Sequence, residues 1–68
     1  MATAEVIKQL RMALCLEQKE LAALIGISAS SISHYEAHVR MPKMSTIRKL
    51  LELAKKNKIK ISVEDFYE

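Results

Sequence analysis

Glycine, proline, cysteine and tryptophan are scarce in this chain. Its 68 residues include one glycine, one proline, one cysteine and no tryptophan. Because the tight turns of a many-stranded sheet depend on glycine, proline and asparagine, this composition argues against an all-β fold. A single cysteine excludes an internal disulfide and is typical of a reducing compartment. No apolar run is long enough to span a bilayer, and no secretion signal is recognisable.

The residues that are plentiful favour helices around one core. Half of the chain is hydrophobic, with eight leucines, eight alanines and four methionines, all of which are good helix formers. A chain of this length has room for one core, so we expect residues 1–68 to form a single domain.

Charge is distributed unevenly along the chain. The net charge is +3, but residues 39–60 hold eight lysines or arginines against one glutamate, whereas the flanking segments are net acidic. A concentrated positive segment favours an anionic partner such as nucleic acid. A solvated helix face is the commoner explanation for a charge run considered alone.

The spacing of apolar residues predicts four helices. Thr3 and Ser28 are suitable N-cap residues for the first and third helices, and Gly26 and Asn57 are suitable ends for the second and fourth. The buried face of the fourth helix is predicted to begin with Met44. The predicted ranges are Thr3 to about Leu14, Gln18 to Ile25, about Ala29 to Ala37, and about Met44 to Lys56.

The segment after the fourth helix permits two interpretations. Apolar and polar residues alternate over 58–64, which is the period of a β-strand. Ser62, with Asp65 three residues later, instead resembles the start of a short helix. We favour an extended link followed by a helical turn at Val63 to Tyr67. The expected fold class is therefore all-α, with four helices and a short fifth.

The second and third predicted helices are separated by only three residues, which is the layout of a helix-turn-helix over about residues 18–37. For the helices to cross, Ala22 must be small and Gly26 must reverse the chain. The outer face of the third helix is then free to enter the major groove of DNA, which is wide enough for one helix. The residues that must share one core are Leu21, Ala22, Ile25, Ile27 and Ile32.

Several short motifs keep a fixed register around this unit. They are Leu10-Arg11, Gln18-x-x-Leu21-Ala22-x-x-Ile25-Gly26-Ile27-Ser28, Ile32-Ser33-x-Tyr35-Glu36, Arg40-x-Pro42, and Ile47-x-x-Leu50 with Ala54. In these positions the chain resembles the Cro and phage-repressor type of helix-turn-helix regulators, also called lambda-repressor-like domains, from about Val6 to Tyr67. The resemblance implies a DNA-binding regulator of transcription. Repression is the expected sign for so short a chain.

The resemblance also implies roles for individual residues. Gln18 starts the second helix and is expected to contact a DNA phosphate, which agrees with the affinity of helix N-termini for anions. Arg11 and Glu36 match an ion pair that ties the first helix to the third. The residues implied at base edges are Ala29, Ser30, Ser33 and His34, and the further residues implied at phosphates are Ser31, Arg40 and Lys43.

The chain departs from the family pattern at three positions. Glu17 stands where the family usually has threonine or serine as the N-cap of the second helix, and its charge is expected to weaken phosphate binding. Cys15 and His38 stand where glycine is common, at positions expected to be left-handed.

The helix face predicted to contact bases has few side chains that form strong hydrogen bonds. It lacks the arginine, asparagine and glutamine residues that make bidentate contacts with bases. We expect specificity to depend on a thymine methyl against Ala29, on serine hydroxyls, on His34 at a purine edge, and on DNA shape.

Residues 58–68 are the candidate dimerisation segment. Paired half-sites increase the affinity of small DNA-binding domains, so we expect a homodimer. The candidates, which either cover the core or form the dimer interface, are Ile59, Ile61, Val63, Phe66 and Tyr67. The basic run from Lys55 to Lys60 either follows DNA flanks or keeps the protein soluble, and we favour solubility.

Alternatives remain within and beyond this class. A controller protein of a restriction–modification system and an antitoxin that represses its own operon fit the same pattern. The alternative from a different functional class is a helical module that binds a protein partner.

The cysteine and two histidines lack the paired spacing of a zinc site or catalytic relay, so we expect no metal, cofactor or enzymatic activity. We also expect no small-molecule ligand, no membrane association, and a cytoplasmic location in a bacterium or phage host.

Overall fold

The computed structural model describes residues 3–67 and contains four α-helices and one short 3-10 helix, with no strand in that range. The prediction of an all-α fold is confirmed, and each predicted helix is present to within about one residue. The helices are α1 (Thr3–Ala13), α2 (Gln18–Ile25), α3 (Ala29–Glu36) and α4 (Met44–Lys56), followed by the 3-10 helix (Val63–Phe66).

All four α-helices and the 3-10 helix contribute to one hydrophobic core. Leu21, Ala22, Ile25 and Ile32 are buried as the helix-turn-helix layout requires, and Ile27 is half-buried against them. The other members of the core are Val6, Ile7, Leu10, Tyr35, Ile47, Leu50, Ala54 and Phe66. The core therefore fixes the crossing of α2 and α3, which leaves the opposite side of α3 exposed.

The turn between α2 and α3 has the backbone geometry that the sequence predicts. Gly26 has a φ of 75°, in the left-handed region that glycine adopts without penalty. The next N–H, that of Ile27, donates to the Ala22 carbonyl at 2.9 Å. Ser28 then caps α3, because its hydroxyl accepts from the Ser31 N–H at 3.3 Å.

Three residues other than glycine adopt the left-handed conformation in the described range. Cys15 and His38 have φ values of 56° and 63°, as predicted for positions where glycine is common. Lys58, with a φ of 58°, was not predicted. It follows the end of α4, and this reversal allows the Ile59 N–H to reach the Ala54 carbonyl at 2.9 Å.

The C-terminal segment is an extended link and a helical turn, and the strand alternative is wrong. The backbone N–H of Ser62 donates to Asp65 Oδ2 at 2.8 Å, which fixes the start of the 3-10 helix. Phe66 is 0% exposed, so it belongs to the core of its own chain and is not available to a dimer interface. Phe66 is therefore removed from the candidate dimer interface, which corrects the sequence-based prediction. Ile59, Ile61 and Val63 are half-buried against the core, and only Tyr67, at 57%, is well exposed.

Two predictions about individual residues are wrong. Thr3 lies in the first turn of α1 and, rather than capping the helix, donates its hydroxyl to the Phe66 carbonyl at 2.6 Å, which ties the two ends of the fold together. Met44 is 47% exposed, whereas Thr46 is buried. The reason is that the buried arc of α4 is centred on Ile47 and Leu50, and Met44 lies at its edge in the first turn.

Candidate nucleic-acid interface

The residues predicted at base edges lie together on the exposed side of α3. Ala29, Ser30, Ser33 and His34 are all exposed, at the spacing that places residues of one helix on a common face. The opposite side of α3 is occupied by Ile32, Tyr35 and Glu36, which are buried. The core therefore determines which side chains of α3 a partner can reach.

The serine hydroxyls at the start of α3 are partly committed to one another. Ser28 Oγ lies 2.9 Å from Ser31 Oγ and 3.2 Å from Ser30 Oγ. Ser31 is half-buried, and its hydroxyl is hydrogen-bonded to the Ser28 hydroxyl that caps α3. Ser33 and His34 have no such side-chain hydrogen bond within residues 3–67, and they are the polar side chains of the face most available to bases.

The predicted ion pair between Arg11 and Glu36 is confirmed and is bidentate. Arg11 Nε donates to Glu36 Oε2 at 2.8 Å, and a terminal nitrogen donates to Oε1 at 3.1 Å. The Glu36 side chain is 4% exposed, so almost all of its solvation comes from the protein. The hydrogen bond with Glu36 raises the pKa of the Arg11 guanidinium above its ordinary value, which keeps the guanidinium charged.

Gln18 belongs to this same network. Its side-chain nitrogen donates to Glu36 Oε1 at 3.1 Å, and Arg11 additionally donates to the Leu16 carbonyl at 3.1 Å. Glu36 of α3 therefore holds the last turn of α1 and the first residue of α2 in place. Each amide nitrogen carries two hydrogens, so Gln18 retains one donor for a phosphate.

A shallow hollow lies at the start of α2, where this helix meets the end of α1 and the start of α3. Its walls include Arg11, Gln18, Lys19 and Ala29. Lys19 was not among the residues predicted at phosphates, and the only sequence signal for it is its position directly after Gln18. A basic side chain beside the N-terminus of a helix suits an anion, because the helix dipole is positive there.

Glu17 places a negative charge in the wall of the same hollow. The Glu17 N–H donates to Glu20 Oε1 at 2.7 Å, so a carboxylate satisfies the first backbone donor of the helix. Lys19 Nζ lies 3.6 Å from Glu17 Oε1, and both side chains are exposed. Both interactions draw on groups that would otherwise bind an anion.

The loop that carries Arg40 is fastened to its neighbours. The Val39 and Arg40 N–H groups both donate to the His34 carbonyl, at 2.9 and 3.3 Å. His38 Nε2 lies 3.5 Å from Glu5 Oε2 on α1. Arg40 is exposed at the end of α3, and the exposed Lys43 is the N-cap residue of α4. The structure thus places Gln18 beside the start of α3 and the backbone of Arg40 against its last turn.

We expect replacement of Glu17 by serine to tighten binding to duplex DNA. Serine restores a hydroxyl cap for α2 and removes one negative charge from the hollow. The expected gain is about fivefold to tenfold in affinity at low salt, from about 1–1.4 kcal/mol. Fluorescence anisotropy with a labelled duplex measures it. Glu64→Ser, a loss of the same charge in the 3-10 helix, is the control, and an equal gain in both variants would contradict the local explanation.

Within residues 3–67, no group of three or more histidine, cysteine, aspartate or glutamate side chains is arranged to hold a metal ion. No helix in that range has both the length and the apolar composition needed to cross a membrane.

Comparison with known proteins identifies the family. Residues 7–59 match the model of the family described as Helix-turn-helix, of the Cro and C1 type. No curated protein and no solved structure matches the chain significantly. The matched range includes the ion pair, the turn at Gly26, the whole of α3 and the loop after it. The chain therefore belongs to the helix-turn-helix family of DNA-binding transcriptional regulators of the Cro and C1 type.

Proposed function

We propose that the protein is a sequence-specific repressor that binds a palindromic DNA operator as a homodimer. The observation that carries this proposal is the exposed face of α3, which has basic or amide side chains near both of its ends. Gln18 and Lys19 lie at its start, and Arg40 and Lys43 lie beyond its end. With α3 in a major groove, these groups would contact the phosphates on either side.

Sequence selection by this face depends on few polar groups. Ala29 offers a methyl group that suits the thymine methyl, and His34 offers a ring nitrogen to a purine edge. Ser33 contributes an uncommitted hydroxyl, while Ser30 shares its hydroxyl with the cap. Because no bidentate side chain is present, DNA shape and deformability supply the remaining specificity.

A homodimer would provide the second reading helix that a palindromic operator requires. We still propose the C-terminal segment as the dimer interface, now without Phe66. The proposed interface residues are Ile59, Ile61, Val63 and Tyr67. Tyr67 supports it best, because an exposed aromatic side chain beside half-buried aliphatic ones is a common interface composition. Such a repressor would act in the bacterial cytoplasm, where the DNA lies.

One observation favours a protein-binding module instead. The hollow at the start of α2 has the Glu17 carboxylate in its wall, which DNA phosphates would repel. An operon-level role as a restriction–modification controller or an antitoxin would use the same DNA-binding surface and differs only in the genes controlled.

Selection of bound duplexes from a random DNA pool tests the proposal. We expect a near-palindrome with half-sites about one helical turn (~34 Å) apart. Recovery of single half-sites would contradict the homodimer. Recovery of no consensus, with binding that disappears at physiological salt, would leave only backbone attraction and favour the protein-binding module.

A further inference from the structure

A cavity of about 140 Å³ lies between the first turn of α1, the end of α3 and the loop after α3. Its walls include Ala4, Tyr35, Val39, Arg40 and Met41. A protein cavity of about 150 Å³ accommodates a benzene molecule. The space therefore suits a ligand with one small ring or a short branched chain.

Tyr35 supplies an uncommitted polar group to this cavity. The residue is only 6% exposed, and its hydroxyl makes no hydrogen bond to any residue in the range 3–67. Tyr35 is one of the residues that line the cavity, and a phenolic hydroxyl can both donate and accept a hydrogen bond.

Arg40 supplies a positive charge at the same place. It is exposed and forms no ion pair with another described residue. Its guanidinium is suited to a carboxylate, which accepts two parallel hydrogen bonds from it. Tyr35, the unpaired Arg40 and several apolar side chains thus line one small space.

We propose that this cavity binds a small organic carboxylate whose apolar part is about the size of a benzene ring. The carboxylate accepts hydrogen bonds from Arg40 and from the Tyr35 hydroxyl, and the apolar part contacts Val39 and Met41. No sequence motif predicts the site, because its residues are brought together only when the loop after α3 packs against α1.

The consequence for regulation rests on the proposed DNA-binding function. Arg40 is also a proposed phosphate contact, and a guanidinium paired with a bound carboxylate is less available to DNA. The ligand therefore lowers operator affinity, and by linkage DNA lowers ligand affinity by the same factor. The protein then releases its operator when the small acid accumulates.

Benzoate and its neutral analogue benzamide are the probes for the binding site. We expect benzoate, added to the ¹⁵N-labelled full chain, to shift the amide resonances of Ala4, Val39, Arg40 and Met41 with saturation in the millimolar range. Benzamide should bind about tenfold more weakly, because it lacks the charge that Arg40 recognises. Tyr35→Phe keeps the ring and should also weaken benzoate binding several-fold.

Three outcomes would overturn the site: no saturable shift, shifts that lie away from the cavity, or equal binding of benzoate and benzamide. The regulatory consequence is tested separately by DNA binding with and without benzoate. Tyr35→Phe should still bind DNA but respond less to benzoate. If benzoate binds in the cavity while operator affinity is unchanged, the proposal that the ligand regulates DNA binding is wrong. If the protein binds no DNA at all, the proposed function fails and the resonance shifts still decide the site.

Discussion

Replacement of both Arg40 and Lys43 by glutamate should reduce DNA affinity by about 100-fold or more. Each basic side chain is expected to make a charge-assisted contact to phosphate, and the loss of one such contact typically costs about 1.5–3 kcal/mol, or roughly tenfold or more. The introduced carboxylates add repulsion. Both side chains are exposed, so the fold should be retained.

The salt dependence of binding makes this prediction specific. Loss of two phosphate contacts should reduce the slope of log affinity against log salt by about 2. The matched control is the double variant Lys55→Glu with Lys58→Glu. It changes the net charge by the same amount, within the basic run from Lys55 to Lys60. If the control loses as much affinity as the test variant, net charge alone explains binding. If regulation in cells survives the loss of DNA binding, the protein-binding alternative gains.

Replacement of Arg11 by methionine should destabilise the fold by about 3–5 kcal/mol. The substitution leaves the Glu36 carboxylate, whose side chain is 4% exposed, without its bidentate partner. Gln18 still donates one hydrogen bond to it, but an amide does not neutralise the charge. A single-domain protein has a total stability of only about 5–15 kcal/mol, so this loss is a large part of it. Urea unfolding followed by circular dichroism measures the change.

Two further variants separate the charge from the packing. Lys8→Met, on the exposed side of the same helix, should change stability by less than about 0.5 kcal/mol. Arg11→Met combined with Glu36→Met removes both charges and should recover much of the lost stability, because two apolar side chains of similar length need no partner. A single Arg11→Met variant as stable as the parent chain would show that Glu36 is solvated from another source.

Local features of this fold were predictable from the sequence, whereas long-range contacts were not. Helix ends were predictable because they depend on local signals, such as the left-handed φ available to Gly26 and the hydroxyl of Ser28. The Arg11–Glu36 pair was also predicted, but only through the family resemblance. The hydrogen bond from Gln18 to Glu36 was not, because it depends on how three helices converge.

Periodicity alone failed where a side chain lies at the edge of a buried arc. It assigned Met44 to the buried face of α4 and could not identify Thr46 as buried, because the direction of the core is set by the neighbouring helices. Phe66 is a similar case. Its apolar character fits a core and a dimer interface equally well, and only the closure of the 3-10 helix against α1 places it inside.

By itself, the sequence determined the all-α class, the four helices and the exposed side of the helix-turn-helix. These features follow from helix propensity, capping and apolar spacing, which act over a few residues. The tertiary structure alone decided that Gln18 joins the ion pair, that Thr3 binds the Phe66 carbonyl, and that Tyr35 and Arg40 share a cavity with α1. These contacts join residues that are distant in the chain, and the geometry of close packing selects them.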